Sequence, residues 1–322
     1  MKFSLPYISN ILSYFRENEN YLHKVNDVFF SDDSIFPSSR KSPLRKEHWE
    51  ELSEIHQNYG IQLNYVLNPT VWENSTYSAS GKIRILKNLD TLKKNNVSII
   101  TLNNTLLLND PVIRKALSVF TLKNSVNNMI TSLDQVMFFV EDLGIKSIFL
   151  GRDINRNLDE IKKISSYAKK EGVVLHALVN EFCLNRCPYK FFCDSIISQA
   201  YKDSEDFKSL NNKRKTLSCG DGWPLKKYLK SAVIYPRQVE ILGEYVDIFK
   251  IGGRLNDLSR LRPTLDAYLL GKDVLLTQLI NQKVSFNKLR VSDIPEFYFS
   301  KTLNCKSLCR SCNFCESILE GS

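Results

Sequence analysis

SIFLGRDINRNLDEIKKISSYAKKEGVVLHALV, residues Ser147 to Val179, reads as strand, helix, strand. Its ends, Ser147–Leu150 and Val173–Val179, are short apolar runs of the kind found in buried strands of parallel sheets. Between them Ile161, Ile164, Tyr167 and Ala168 recur at helical spacing on one face. Asn157 stands where a helix is capped and Gly172 where one ends, so a helix is predicted over Leu158–Glu171. Outward from this unit the alternation continues. Further strands are predicted at Lys2–Tyr7, Asp27–Ser31, Ile61–Leu67, Val97–Leu102, Val119–Leu122 and Asp247–Ile251. A helix over Leu133–Leu143 starts after Ser132 and stops at Gly144. Eight strands, seven of them followed by helices, predict an α/β fold: a (β/α)8 TIM-like barrel over residues 1–271, of the usual length of about 250 residues. A doubly wound open sheet is the alternative. No Gly-x-Gly-x-x-Gly follows the first strand, which argues against the dinucleotide-binding form of that fold.

The even spacing fails once, after the seventh strand. The connection there carries a long insertion, residues 180–232, with four cysteines. A connection of that length is usually functional or has structure of its own. In a barrel it emerges at the C-terminal face, where active sites are built. Beyond Gly271 comes a C-terminal extension, residues 272–322: a short helix (Val274–Ile280), a polar stretch and a cysteine-rich end.

With 43% apolar residues the chain can bury a full core without staples. No run reaches eighteen apolar residues, so no membrane span is predicted. The N-terminus is a poor signal peptide, interrupted by Pro6, Asn10 and Arg16, and the expected location is cytoplasmic. The net charge of +9 is mostly scattered over solvated helix faces. Lys213, Arg214 and Lys215, with Lys226, Lys227 and Lys230, bracket Cys219 and could attract an anionic substrate or RNA phosphates. No aromatic nucleic-acid signature accompanies them.

In the reducing cytosol, eight cysteines point to metal or redox chemistry rather than disulfides. They form two groups: Cys183, Cys187, Cys193 and Cys219 in the insertion, and Cys305, Cys309, Cys312 and Cys315 in the tail. Four plus four suits two [4Fe-4S] clusters, since each cubane takes four thiolates. Lys306 and Arg310 would offset the negative charge at the tail. Zinc is the alternative at either site, and crossed ligation between the groups stays open. Iron–sulfur is preferred because the tail holds one Cys-x-x-Cys-x-x-Cys run instead of two separated pairs. A radical S-adenosylmethionine triplet is not matched: the gaps here are three and five, and they follow the seventh strand, not the first.

The segment Val179-Asn180-Glu181-Phe182-Cys183-Leu184-Asn185-Arg186-Cys187-Pro188 resembles the cysteine segment of the U-32 (collagenase-like) peptidase family. Phe249-Lys250-Ile251-Gly252-Gly253-Arg254 resembles that family's Lys-Ile-Glu-Gly-Arg motif on the last barrel strand, and Leu150-Gly151-Arg152-Asp153-Ile154 its Leu-Ala-Arg-Glu-Leu segment. All three occur in order at comparable strand ends. The resemblance implies a barrel with a four-cysteine [4Fe-4S] site held by Cys183, Cys187, Cys193 and Cys219. It also implies oxygen-independent hydroxylation or RNA modification, some members using prephenate as the oxygen source. The chain departs from the pattern: Gly252 replaces the glutamate, the Ser-Gly-Arg-Cys element is absent, and the cysteine-rich tail is extra.

Lys250, Arg254, Arg152 and Asp153 end the eighth and sixth strands, where cations could clamp a carboxylate or phosphate; an ordinary salt bridge of Asp153 with one of the cations is the plain alternative. Glu181 is a candidate general base or proton donor, or a helix cap. Asn64, Asn103, Asn124 and Asn180 fall at strand ends, at least two of them structural. His176, the one histidine on a predicted strand, is read as a core residue. Three functions follow: an iron–sulfur modification enzyme acting on a small aromatic molecule, a peptide or RNA; a non-catalytic electron-transfer or scaffold subunit with a protein partner, as in a heterodimer; and a true peptidase, for which no Ser-His-Asp or His-Glu-x-x-His arrangement is visible.

Overall fold

The computed structural model describes residues 1–36, 43–199, 209–210, 212, 228–279, 289–305, 309 and 311–320. Eight parallel strands close into a barrel in sequence order: β1 (Lys2–Pro6), β2 (Val25–Phe30), β3 (Gln62–Leu67), β4 (Val97–Leu102), β5 (Thr121–Asn124), β6 (Ser147–Phe149), β7 (Val174–Leu178) and β8 (Ile248–Lys250). β8 closes the ring on β1, with Phe249 opposite Phe3. This is the predicted TIM barrel. Of the predicted groups, Cys219, Lys213, Arg214, Lys215, Lys226, Lys227, Lys306 and Arg310 lie outside the described residues, as does Ile280.

The helix predicted after β6 forms over Leu158–Glu171. Asn157 Oδ1 accepts from the Glu160 N–H at 3.3 Å, and Gly172 leaves the helix at φ +65°. The helix predicted at Leu133–Leu143 is α only over Leu133–Met137 and then widens to a π turn over Phe138–Asp142. It starts after Ser132 as predicted, and the Ser132 side chain caps it by accepting from the Gln135 N–H. The fifth strand is displaced: Val119 is exposed in the turn after the helix Pro111–Leu117, and the ladder runs instead through Thr121–Asn124. Lys123 and Asn124 look like loop residues in the sequence, but their polar atoms are satisfied inside the barrel.

Side chains alternate across each strand. One set, including Leu5, Val28, Tyr65, Ile100, Ile148, Leu175 and Phe249, packs outward against the helices in one continuous core. The other faces the barrel axis and is unusually polar, with Ser4, Asp27, Asn64, Thr101, Lys123, Ser147 and His176 all buried. The C-terminal extension joins the outer core: Tyr298, Phe299 and Leu303 are buried in it, and the Tyr298 hydroxyl donates to the Leu229 carbonyl at 2.6 Å. Among the described residues, no helix is long and apolar enough to cross a membrane.

Candidate functional site

The C-terminal rim of the barrel is built where β6 and β7 end. Past β6, Arg152 turns back into the mouth; past β7, Val179 and Asn180 lead to Glu181 and the first cysteine. Arg152, Glu181, Lys190 and Asp194 then form a buried four-charge lattice. Arg152 Nε lies 2.5 Å from Glu181 Oε2, a close ion pair whose N–H is not aligned for a hydrogen bond. Its other nitrogens reach Asp194 Oδ2 at 3.1 Å and Asn127 Oδ1 at 3.0 Å. Lys190 Nζ lies 3.5 Å from Glu181 and 3.2 Å from Asp194. Burial pushes the Glu181 carboxyl up, but Lys190 and Arg152 outweigh it and hold the group at about 2. A carboxylate so held is a poor general base near neutrality.

This lattice anchors the cysteine segment. Glu181 Oε1 accepts from the Cys183 N–H at 3.2 Å, and Lys190 Nζ donates to Cys183 Sγ at 3.5 Å. Among the described residues, Asp153 forms no salt bridge with the barrel-mouth cations. Its carboxylate accepts from the Arg186 N–H at 3.0 Å and steadies that residue in the left-handed region, φ +56°. The Cys183 thiol is pushed up by burial and by the Glu181 carboxylate.

Lys250 and Arg254 complete the rim on the β8 side. Arg254 donates to Ser31 Oγ, just past β2, at 2.9 Å, so it lies on the same face as Cys183. Lys250 Nζ sits 3.6 Å from the centre of the Phe29 ring and 5.6 Å from that of Phe149. Asn180 and Gly252 clasp each other: the Gly252 N–H donates to Asn180 Oδ1 at 2.7 Å, and Asn180 Nδ2 donates to the Gly252 carbonyl at 2.9 Å. A side chain at 252 would meet Asn180 at 3.2 Å, which accounts for glycine at that position.

The tail cysteines sit close by. Cys315 is buried with Sγ 3.7 Å from the Leu229 carbonyl, and Lys230 pairs with Glu316 at 3.0 Å. The same short stretch holds the first group from the other side, because the Ala232 N–H donates to the Cys183 carbonyl and that of Asn185 to the Lys230 carbonyl. Arg156, buried beneath, donates to Leu229 at 2.5 Å and to Tyr298 at 3.3 Å. Cys309 and Cys312 are exposed, Cys305 partly so.

As donors, two sets of thiols suit a metal cluster in kind and number. Among the described residues, however, no three Cys, His, Asp or Glu side chains converge closely enough to hold a metal ion.

Below the rim lies a network that the sequence reading did not single out. Asp27 accepts from Ser4 at 2.6 Å and from Asn64 at 2.8 Å, and pairs with Lys123 at 3.4 Å. Burial raises the Asp27 carboxyl, yet Lys123 and these donors bring it down to about 2. His176, as expected a core residue, bonds Ser147 Oγ at 2.8 Å, while its Nδ1 has no partner. Both line a cavity of about 600 Å3 at the N-terminal face, with Arg114, Lys123 and Lys146 in its wall. Asn64 and Asn124 are structural, the latter tying β5 to the Phe149 carbonyl of β6 at 3.0 Å. Lys190 and Asp194 were also missed. Their i,i+4 spacing just beyond Cys187 is the signal that could have found them.

No family model matches the sequence. The chain is 25% identical over 336 residues, 98% of its length and 95% of the relative's, to the uncharacterized protease MJ1657 of Methanocaldococcus jannaschii. The solved structure of the U32 peptidase Mk0906 matches with a TM-score of 0.51 at 14% identity, over 79% of this chain and 93% of that one. The barrel and these likenesses define a TIM-barrel protein similar in fold to a U32 peptidase. The resemblance to the U32 peptidase family read from the sequence is supported by both likenesses.

Proposed function

We propose that this protein is an iron–sulfur enzyme that carries out an oxygen-independent, hydroxylation-type modification of a small anionic aromatic molecule at the C-terminal mouth, with a peptide or RNA as the alternative substrate. The observation that carries this reading is the Arg152–Glu181–Lys190–Asp194 lattice, which fixes Cys183 at the mouth on the face that holds Lys250 and Arg254. Cys183, Cys187 and Cys193, with Cys219, would hold one cluster, and Cys305, Cys309, Cys312 and Cys315 a second. A cluster supplies one-electron transfer when bound. This chain's own residues place the substrate: the Arg254 guanidinium favours an anionic group.

Anaerobic purification should give about eight irons and eight sulfides per chain, as two sets of four thiolates require. Two tightly bound zincs without sulfide would overturn the reading.

A peptidase reading has one observation in its favour, the Ser147–His176 contact at the opposite face. Among the described residues no carboxylate bonds the other nitrogen of that imidazole, and burial with Lys123 and Lys250 holds it well below its ordinary range. Such a base lacks the third group that orients a nucleophile's partner. Labelling of Ser147 by a fluorophosphonate would favour peptidase chemistry; an unlabelled Ser147 supports the mouth. The stretch 228–232 shared by both cysteine groups also suits an electron relay to a partner subunit.

A further inference from the structure

The mouth contains an amine whose surroundings are those of a nucleophile. Lys250 is the last residue of β8, where its side chain enters the top of the barrel. Its Nζ rests on the Phe29 ring and beside that of Phe149. Among the described residues it makes no hydrogen bond or ion pair. The charged groups facing it come from every side: Lys123 of β5, Arg254 beyond β8, Arg152 beyond β6, and Asp27 of β2. The one carboxylate in that set, Asp27, is already paired with Lys123 and hydrogen-bonded by Ser4 and Asn64. Its attraction for a second ammonium is therefore largely spent.

We propose that Lys250 is a Schiff-base-forming residue, whose amine condenses with an aldehyde or ketone carbonyl of a negatively charged substrate. The nitrogen lone pair forms the C–N bond, the carbonyl π pair moves to oxygen, and both amine protons leave with that oxygen as water. One carbonyl and one primary amine thus give one imine and one water, with no change of oxidation state. The ring faces favour a charged amine. Burial, Lys123, Arg254 and Arg152 oppose it, and together they carry the amine well below its ordinary range. An ordinary lysine is neutral in only about one molecule in 2,500 at pH 7, which is why most lysines are silent towards carbonyls there. The surrounding cations select a carbonyl compound that also carries a carboxylate or phosphate.

This inference deepens the proposed mouth site but does not depend on its metal. The full chain, purified anaerobically, is incubated at pH 7 with pyruvate and sodium cyanoborohydride, and the adducts are mapped by peptide mass spectrometry. The expected result is a single dominant adduct at Lys250, formed at least about 10-fold faster than at any other lysine. Lys250→Met should lose that adduct and leave the slow labelling elsewhere unchanged. Labelling spread evenly over exposed lysines, with Lys250 unmodified, would overturn the proposal. Mapping of the unsubstituted chain decides the matter even if the variant folds poorly. Iron and sulfide are counted on the same sample, so a missing adduct and a missing cluster are separate outcomes.

Discussion

Two sets of buried charges stand on either side of the barrel's upper rim, and they are balanced differently. At the rim, Arg152 and Lys190 face Glu181 and Asp194, two cations against two carboxylates. Inside the barrel, Lys123 and Lys250 share the single carboxylate of Asp27, and only Lys123 is within ion-pairing distance. Burying a charge is costly unless it is paired. The balanced set pairs each cation with carboxylates and acts as a latch, fixing the backbone that carries Cys183. The unbalanced set leaves one cation without a carboxylate within ion-pairing distance: Lys250, at the C-terminal end of β8, whose amine burial and the neighbouring cations push well below its ordinary range.

The largest expected effect comes from removing the shared carboxylate. Asp27→Asn strands Lys123 inside the barrel and should cost about 3–5 kcal/mol in denaturant unfolding. The pH dependence follows from the sign of the shift. Asp27 is held at about 2, below its unfolded value of about 3.9, so its contribution is complete above that value and is lost as pH falls from about 4 towards 2. The loss of stability over that window should be steeper in the unsubstituted protein than in the variant. Equal slopes would show that Asp27 does not carry the interior charge balance.

Glu181→Gln comes next. It leaves Arg152 and Lys190 with Asp194 alone and removes the charged acceptor of the Cys183 N–H. The lattice side chains are slightly more exposed than Asp27 and Lys123, and Asp194 still faces both cations, so the cost should be smaller, about 2–3 kcal/mol. Metal content, measured by elemental analysis, should fall as the cysteine segment loosens. Full metal content with normal unfolding would mean that Glu181 does not latch that segment.

The smallest effect sharpens the contrast most. Lys250→Met replaces an amine that has no carboxylate of its own with an apolar chain of similar length. Thermal or denaturant unfolding should shift by less than about 1 kcal/mol, because the variant abolishes no ion pair and relieves the crowding of cations. A loss as large as that of Asp27→Asn would mean that Lys250 is charged and paired after all.

Much of the fold was legible in local patterns. Gly172 and Asn157 delimit one helix, Ser132 begins another, and the apolar runs of β4 and β6 stand out from their neighbours, because capping and strand burial depend on residues close in the chain. The fifth strand was misplaced because its interior residue is Lys123, whose burial is possible only with Asp27, 96 residues earlier in the chain. The cysteine segment and the strand-end cations were likewise visible as residue types at strand ends. Their partners were not: Lys190 and Asp194 read as an ordinary helix pair until Arg152 and Glu181 are set against them.

The sequence by itself determined the alternation of strands and helices, the two groups of thiols and the placing of Arg152, Glu181, Lys250 and Arg254 at strand ends. These are matters of spacing and residue type. Only the folded barrel decides which charges are compensated, that a side chain at 252 would crowd Asn180, and that one stretch, 228–232, serves both cysteine groups. Charge compensation is set by distances of a few ångströms between residues far apart in the chain, and those distances exist only once the barrel has closed.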